Sequence, residues 1–270
     1  MVGRPHGQSS MVTDKQVPDL YSEVVKQLEK LDETEASEAR IQWFEEQHKG
    51  STLRSYGIKT SKVRRLIGRY RGRFKQLNLE TKFELAKRFY ESGFFEQATI
   101  GDAVVELSVP SLTPTHFDRL DEVASCFNNW ASVDWLCLRV LQPLLLKYRE
   151  ATLTLVKRWN RSKNKWKRRA SVVAFVRKIG ASGDFTDEAL ELCDNLVWDK
   201  EDIVQKGVGW ALKDNLSGAR RRVLDYVKSL RRKGVSSTIT LYAIRDVKGK
   251  ERREILEARP DTKQKSRTVT

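Results

Sequence analysis

The sequence predicts an all-α protein, a HEAT-like helical-repeat solenoid in which pairs of helices stack into a superhelix. Two observations carry this prediction. Between residues 18 and 247, apolar residues recur at spacings of three and four rather than two, which is the period of amphipathic helices. The 270 residues also include only six prolines and fifteen glycines, so few positions interrupt the helices. Stacked helical pairs curve, and we expect them to present a concave, basic face.

Thirteen segments show the helical pattern, and short linkers join them. Several starts carry a typical first residue, such as Pro18, Ser37 or Thr60. The predicted helices span residues 18–31, 37–47, 60–76, 81–92, 95–107, 115–127, 132–141, 150–159, 165–179, 187–196, 201–213, 219–232 and 236–245.

Tryptophans recur at a spacing that fits a helical repeat. Trp130, Trp166 and Trp210 are 36 and 44 residues apart, close to the roughly 40–47 residues of a HEAT-type repeat. We therefore expect residues 18–247 to form one HEAT-like repeat domain. The other four tryptophans are expected to pack in the core; they are Trp43, Trp135, Trp159 and Trp198.

The two ends of the chain differ from this domain in composition. Residues 1–17 and 248–270 have little apolar content and many Lys, Arg, Ser, Gly and Thr, so we expect flexible tails, the second of them basic. The first residues lack the apolar stretch of about 7–15 residues that a signal peptide requires. No apolar run approaches the roughly 18 residues of a membrane span. We expect an intracellular protein, cytoplasmic and nucleoid-associated, or nuclear in a eukaryote, with no membrane partner.

Cysteines and histidines are too few and too scattered for a disulfide framework or a metal site. No Cys-x-x-Cys is present, and no histidine has a histidine partner four residues away. Isolated thiols of this kind are most often buried and reduced. We therefore expect no metal; the residues concerned are Cys126, Cys137, Cys193, His6, His48 and His116.

The positive charge is concentrated in three basic clusters. The chain has 51 Lys and Arg against 36 Asp and Glu, a net charge of +15. If successive repeats align the clusters, they form a continuous surface that fits phosphates spaced about 1.7 Å per charge along duplex DNA. No motif for reading base sequence accompanies them. The first cluster is Lys62, Arg64, Arg65, Arg69, Arg71, Arg73 and Lys75; the second is Lys157, Arg158, Arg161, Lys163, Lys165, Lys167, Arg168 and Arg169; the third is Arg220, Arg221, Arg222, Lys228, Arg231, Arg232 and Lys233.

One carboxylate stands out because of the aromatic residues beside it. Asp134 follows Trp130 by four residues, at the start of a predicted helix whose next turns are apolar. If that helix begins near Ser132, Asp134 lies in its first turn, where the helix dipole favours the ionised form. The alternative is that Ser132 and Asp134 only cap the helix.

A second aromatic segment carries two glycines inside a predicted helix. Gly207 and Gly209 precede Trp210, although each glycine costs roughly 1 kcal/mol in a helix interior relative to alanine. Close approach of another helix or of a ligand would explain both glycines.

Four stretches together resemble the AlkD family of DNA alkylation-repair glycosylases, which are built from HEAT-like repeats. They occur in the family's order and approximate spacing, and the resemblance covers roughly residues 40–245. The matching stretches are residues 57–60 (GIKT), 130–134 (WASVD), 166–170 (WKRRA) and 205–213 (QKGVGWALK).

The resemblance implies a monofunctional glycosylase of base-excision repair. It would release cationic N3- and N7-alkylpurines from duplex DNA without base flipping and without a metal or organic cofactor. Asp134 matches the family's catalytic aspartate, Trp130 and Trp210 match the aromatic residues that flank it, and Arg169 matches an arginine that grips the DNA. We expect a monomer, and four further cations that contact DNA, namely Lys59, Lys165, Arg168 and Lys206.

The residues suit this chemistry on physical grounds. An alkylated purine carries a positive charge, so its glycosidic bond is already weakened and needs no general acid. The sugar develops oxocarbenium character, which a carboxylate near C1′ stabilises while it orients the attacking water. Tryptophan faces add cation–π attraction of about 0.5–2 kcal/mol each.

The chain departs from the family pattern at three positions, and two other functions stay open. Ser61 stands where proline is frequent, Ala131 where an acidic residue is frequent, and Lys59 where a neutral polar residue can occur. These departures bear on the lesion range. The first alternative function is a non-catalytic HEAT-like module that binds damaged or branched DNA, or RNA. The second is a scaffold for an acidic protein.

Overall fold

The computed structural model describes residues 16–32, 34–47, 53–258 and 260, and the regular elements in these ranges are helices. The all-α prediction is confirmed. One isolated parallel bridge joins Arg54 and Phe94. None of the described helices is long and apolar enough to cross a membrane.

The described chain forms two compact units, and the HEAT-like repeat domain over residues 18–247 stays a prediction. Residues 16–43 and 53–111 belong to the first unit, and residues 44–47, 112–258 and 260 belong to the second. The helices of the first unit are α1 (Gln16–Glu29), the larger part of α2 (Thr34–Gln47), α3 (Thr60–Gln76), α4 (Leu79–Glu91) and α5 (Phe95–Glu106).

A buried carboxylate organises the first unit. Glu96, at the start of α5, is fully buried and accepts hydrogen bonds from the backbone N–H groups of Tyr56 (3.0 Å) and Ile58 (3.2 Å). The Ser55 hydroxyl (2.8 Å) and the Arg40 guanidinium (2.6 Å) donate to the same side chain. A buried charge is stable only when it is paired and hydrogen-bonded, and these four donors fix the segment that leads into α3.

The second unit contains the remaining helices. They are α6 (Phe117–Ser125), α7 (Trp130–Leu136), a π-helical segment (Cys137–Leu141), α8 (Gln142–Lys147), α9 (Arg149–Asn160), α10 (Lys165–Val173), α11 (Arg177–Ser182), α12 (Thr186–Asp194), α13 (Asp202–Arg232), α14 (Ser237–Ala243) and α15 (Gly249–Glu257).

Side chains about one repeat apart connect these helices. The Gln142 amide donates to the Val176 carbonyl (2.8 Å), 34 residues later, and the Asn160 amide donates to the Leu192 carbonyl (3.0 Å), 32 residues later. Helix α10 packs against α7 and also against α13. The second unit is therefore built from helices that recur and stack, as a helical repeat requires.

Two helix boundaries differ from the prediction because of local backbone conformation. The segment predicted as one helix over residues 165–179 is divided into α10 and α11, since Val176 is extended (φ −94°, ψ 176°) and Arg177 has a φ of +57°. Conversely, the predicted helices over 201–213 and 219–232 join into α13, with a non-helical residue at Ala219 (φ −144°, ψ 53°).

The predicted C-terminal tail contains a helix, so its assignment to residues 248–270 was too long. Helix α15 packs against α13, Ile255 is buried, and Arg220 pairs with Glu251 at 2.5 Å. Residues 261–270 lie outside the described residues. At the other end, residues 1–15 also lie outside them, while Val17 is buried in α1.

The four predicted core tryptophans differ in burial, and Trp135 is half-buried. Trp159 is buried, with 1% of its surface exposed, and its indole N–H donates to Asp121. Trp43 and Trp198 are 45% and 64% exposed, so the prediction of core packing was wrong for these two. Amphipathic indoles are often placed with one edge in water. The spacing of apolar residues alone does not distinguish such a tryptophan from a fully buried one.

We predict that Glu96→Ala lowers the free energy of unfolding by about 3–5 kcal/mol, because it leaves buried donors without an acceptor. Urea denaturation followed by circular dichroism measures this change. Glu84→Ala is the matched control, since Glu84 makes an exposed ion pair with Arg88 that contributes only about 0.3–0.5 kcal/mol. Equal effects of the two substitutions would contradict the role given to Glu96.

Candidate active site

A cavity of about 550 Å³ in the second unit brings together one carboxylate, five cations and three aromatic rings. Helices α7, α10, α11, α13 and α14 contribute to its wall. The lining residues are Trp130, Asp134, Arg169, Arg177, Ile203, Lys206, Trp210, Lys213, Tyr242 and Arg245.

Asp134 is positioned by the capped start of α7. The helix begins at Trp130, and the side chain of Asn129 caps it by accepting from the Ser132 N–H (3.0 Å). The predicted start near Ser132 was therefore two residues late, and Asp134 lies outside the first turn, where the effect of the dipole is smaller. A π-helical segment follows directly, and such segments occur frequently at functional sites.

The Asp134 carboxylate forms a two-point ion pair with Arg169. The guanidinium donates from Nε to Oδ1 (2.9 Å) and from Nη2 to Oδ2 (2.9 Å), while Nη1 donates to the Ile203 carbonyl (2.8 Å). The two side chains are 13% and 6% exposed. One arginine thus links α7, α10 and α13 at the base of the cavity.

Burial and charge act in opposite directions on this carboxyl group. Burial raises the pKa of Asp134, and the charge and hydrogen bonds of Arg169, together with the charge of Arg177, oppose that rise. Both carboxylate oxygens accept N–H groups, which is the arrangement of an ionised carboxylate.

Of the two glycines of α13, Gly209 allows a close approach of another helix, as the sequence suggested, and Gly207 does not require one. A Cβ at Gly209 would lie 2.7 Å from the Tyr242 Cβ and 3.1 Å from the Ile239 carbonyl oxygen, so only glycine admits α14 at this distance. A Cβ at Gly207 would lie 3.4 Å from the Arg169 side chain, which is an ordinary contact. Gly209 therefore places Tyr242 in the cavity wall.

Two of the cations lie over aromatic rings of the same wall. The Arg177 guanidinium is 5.4 Å from the centroid of the Trp210 ring, and that of Arg245 is 5.0 Å from the Tyr242 ring. These distances are within the range of cation–π attraction. The cavity therefore combines flat apolar faces with positive charges.

Five of the predicted site residues meet at this cavity. Trp130, Asp134, Arg169, Lys206 and Trp210 all line it, although they are up to 80 residues apart in the chain. Lys206 also pairs with Asp202, four residues earlier, at 2.7 Å.

Three other predicted DNA-binding cations lie elsewhere. Arg168 donates to Asp199 (2.6 Å), and Lys165 pairs with Glu201 (3.4 Å). Lys59 is exposed in the first unit, directly before α3. The described residues that line the cavity include none of these three, and their contact with DNA stays a prediction.

Three of the seven cations in the third basic cluster pair with acidic side chains of the second unit. Arg220 pairs with Glu251, Arg222 with Asp187, and Lys228 with Glu254. The sequence pattern did not show these acids because they lie about 30 residues away on α12 and α15. Alignment of the three clusters into one surface stays a prediction.

The cavity also contains four functional candidates that the sequence analysis missed. Lys213 ends the last of the quoted stretches and could have been found there. Arg177, Tyr242 and Arg245 carry no motif, and only the tertiary structure brings them to the cavity. Among the described residues, no group of three or more His, Cys, Asp or Glu side chains could hold a metal ion.

Comparison with known proteins gives one family and one shared fold. Residues 24–247 match the family model described as "DNA alkylation repair enzyme". The chain is similar in structure to a "predicted DNA alkylation repair enzyme" from Enterococcus faecalis, with a TM-score of 0.67 and 13% identity over 80% of this chain and 96% of that chain. It is also similar to the alkylpurine DNA glycosylase AlkC from Pseudomonas fluorescens bound to DNA containing an abasic site analog, with a TM-score of 0.40, 14% identity and 64% of each chain covered. No curated protein matches the sequence.

We predict that Gly209→Ala destabilises the protein by about 1–3 kcal/mol, because the new methyl group would displace Tyr242. Gly207→Ala makes the same chemical change two residues away without a close contact, so it is expected to be neutral or to stabilise by up to about 1 kcal/mol. Thermal unfolding of both variants checks this. A Gly209→Ala protein as stable as the Gly207→Ala protein would contradict the role of Gly209.

Proposed function

The chain belongs to the DNA alkylation repair enzyme family, and from this premise we propose that it is a monofunctional DNA glycosylase of the AlkD type. It hydrolyses the N-glycosidic bond of cationic N3- and N7-alkylpurines in duplex DNA and needs no metal or organic cofactor. The observation that carries the proposal is the single ionised carboxylate, Asp134, held in a cavity of cations and aromatic rings.

The carboxylate acts on the sugar rather than on the base. An alkylated purine is already a good leaving group. What the enzyme has to stabilise is therefore the positive charge that develops at C1′ of the sugar. A fixed negative charge stabilises that charge most strongly where water is excluded. Asp134 suits this role because its side chain is largely buried yet still lines the cavity. The same oxygens can orient a water molecule for attack.

Arg169 keeps this carboxylate ionised and oriented. Its two N–H groups hold both oxygens of Asp134, and its positive charge opposes the increase in pKa that burial causes. We therefore assign Arg169 a positioning role toward Asp134, in addition to the contact with DNA that the resemblance implies.

The aromatic rings and the remaining cations bind the substrate. Trp130 and Trp210 offer faces for the cationic nucleotide, at about 0.5–2 kcal/mol for each contact. Arg177, Lys206 and Lys213 supply positive charge for the phosphates on either side of the lesion. The resemblance to the AlkD family supports cleavage with the base left in the helix rather than flipped into a pocket.

One observation favours the alternative function, a non-catalytic module that binds damaged or branched DNA. The Asp134–Arg169 pair is complete in itself, with every oxygen of the carboxylate hydrogen-bonded, as in a purely structural ion pair. This alternative requires DNA binding without release of any base, whichever residue stands at position 134.

We predict that Asp134→Asn reduces the release of 7-methylguanine from methylated duplex DNA by about 100-fold or more, because an amide cannot stabilise the developing positive charge. Affinity for the duplex should change only a few-fold. Base release under single-turnover conditions and a binding titration measure the two effects.

The matched control is Asp199→Asn. Asp199 also accepts two N–H groups of an arginine, Arg168, and is 7% exposed, but it lies outside the cavity lining. This variant should retain base release. Full activity in Asp134→Asn, or equal losses in both variants, would contradict the catalytic role of Asp134.

We also predict an acidic limb in the pH profile of kcat/KM. The active form is the carboxylate, and burial raises its pKa, so activity should fall as the pH decreases through a value above the ordinary pKa of aspartate, about 3.9. Arg169→Gln removes the influence that lowers this pKa most, so the limb should move to higher pH. If the unaltered protein and Arg169→Gln lose activity at the same acidic pH, the assignment of this limb to Asp134 is contradicted.

A further inference from the structure

Asp214 lies on α13 beside the cavity, and its two oxygens serve two different partners. Oδ2 accepts the backbone N–H of Arg177 at 2.7 Å, and Oδ1 pairs with the Lys213 ammonium at 2.9 Å. The Asp214 side chain is 11% exposed. Both partners line the cavity, while Asp214 itself does not.

The first partner has an unusual backbone conformation. Arg177 is the one non-glycine residue with positive φ (+57°) in the described part of the chain, a region that residues with a side chain rarely adopt. Such a residue persists only when its surroundings hold it, and it is typical of functional sites. The bond to Asp214 holds the N–H of this residue at the start of α11.

The conformation of Arg177 decides where its guanidinium lies. The charge is 5.4 Å from the centroid of the Trp210 ring, and Lys213 lies one turn after Trp210 on the same helix. Asp214 thereby holds two cations on the same side of the cavity. Burial lowers the pKa of Lys213, but the hydrogen bond to Asp214 and the charges of Asp214 and Asp246 raise it overall, so the ammonium stays charged.

Other contacts keep the turn before α11 in place without Asp214. The Asn215 amide donates to the Phe175 carbonyl at 3.0 Å. Gly180 lets α11 approach α13 closely, since a Cβ there would lie 2.9 Å from the Asn215 side chain. Loss of the Asp214 carboxylate should therefore release Arg177 and Lys213 without unfolding α11.

A carboxylate next to a DNA-binding cavity would by its charge alone weaken the binding of a polyanion. We propose that Asp214 is a positioning residue, which holds Arg177 and Lys213 where they receive phosphodiester groups of the DNA backbone. This inference rests on the proposed function, because it takes duplex DNA as the ligand.

The test is the affinity for an unmodified DNA duplex as a function of salt. Asp214→Ala removes the acceptor of the Arg177 N–H and makes the protein more positive by one charge, so a purely electrostatic effect would strengthen binding. The positioning role instead predicts binding weaker by about fivefold or more. The slope of log Kd against log salt should be shallower by about 0.9 for each phosphate that the variant no longer neutralises. KM for base release should rise while kcat stays nearly unchanged.

Asp246→Ala is the matched control. Asp246 is near one of these cations, 3.4 Å from the Lys213 ammonium, and it is 3.7 Å from the Arg245 guanidinium, but it is 67% exposed. Its removal changes the charge equally and should leave binding unchanged or slightly tighter. Binding by Asp214→Ala that equals or exceeds that of the unaltered protein would overturn the proposal.

Amide hydrogen exchange separates this inference from the proposed function. In the free protein, Asp214→Ala should accelerate exchange at the Arg177 amide by about tenfold or more, because it removes the acceptor. If the unaltered protein binds duplex DNA but releases no base, the glycosylase proposal fails and the positioning role stands on the binding data. Unchanged exchange at Arg177 would overturn the positioning role even if the protein is an active glycosylase.

Discussion

The ion pair between Asp134 and Arg169 is the interaction on which the candidate site depends. It joins α7 to α10, and through the Ile203 carbonyl it extends to α13. The same contact orients the carboxylate and keeps it ionised in a buried position, where its charge has the greatest effect on a neighbouring positive charge. Gly207 leaves ordinary contact distance for the arginine. Packing and chemistry in this unit therefore depend on the same few atoms.

Under the proposed function, the charges of the cavity have two separate tasks. Five cations line it, and cations favour phosphates but oppose a substrate that is itself positive. In the proposed reaction, one carboxylate at the base of the cavity resolves this conflict, because it would act where the sugar becomes positive while the cations act on the DNA backbone. A second carboxylate, Asp214, contacts a backbone N–H and an ammonium instead of the cavity. The negative charge of Asp214 is thus compensated by groups of the protein itself.

The fold and the centre of the site could be predicted because they depend on local patterns. Helix α3 has the predicted bounds, and the spacing of Trp130 and Asp134, with the resemblance, indicated the carboxylate. The features that the sequence did not reveal involve distant contacts. Arg168 and Arg169 are adjacent in a basic run, yet about 100° separates them around the helix, so one meets Asp199 and the other Asp134. The left-handed backbone of Arg177 has no signal in the sequence, since residues other than glycine rarely adopt it.

In the proposed reaction, Asp134 stabilises a positive charge at the sugar. This role is measured most directly by comparing the affinities for two duplexes, one with a cationic pyrrolidine at the abasic position and one with a neutral tetrahydrofuran. We expect the unaltered protein to bind the cationic duplex at least about 100-fold more tightly, and Asp134→Asn to lose this preference. Equal affinities of the unaltered protein for the two duplexes would contradict the role of Asp134.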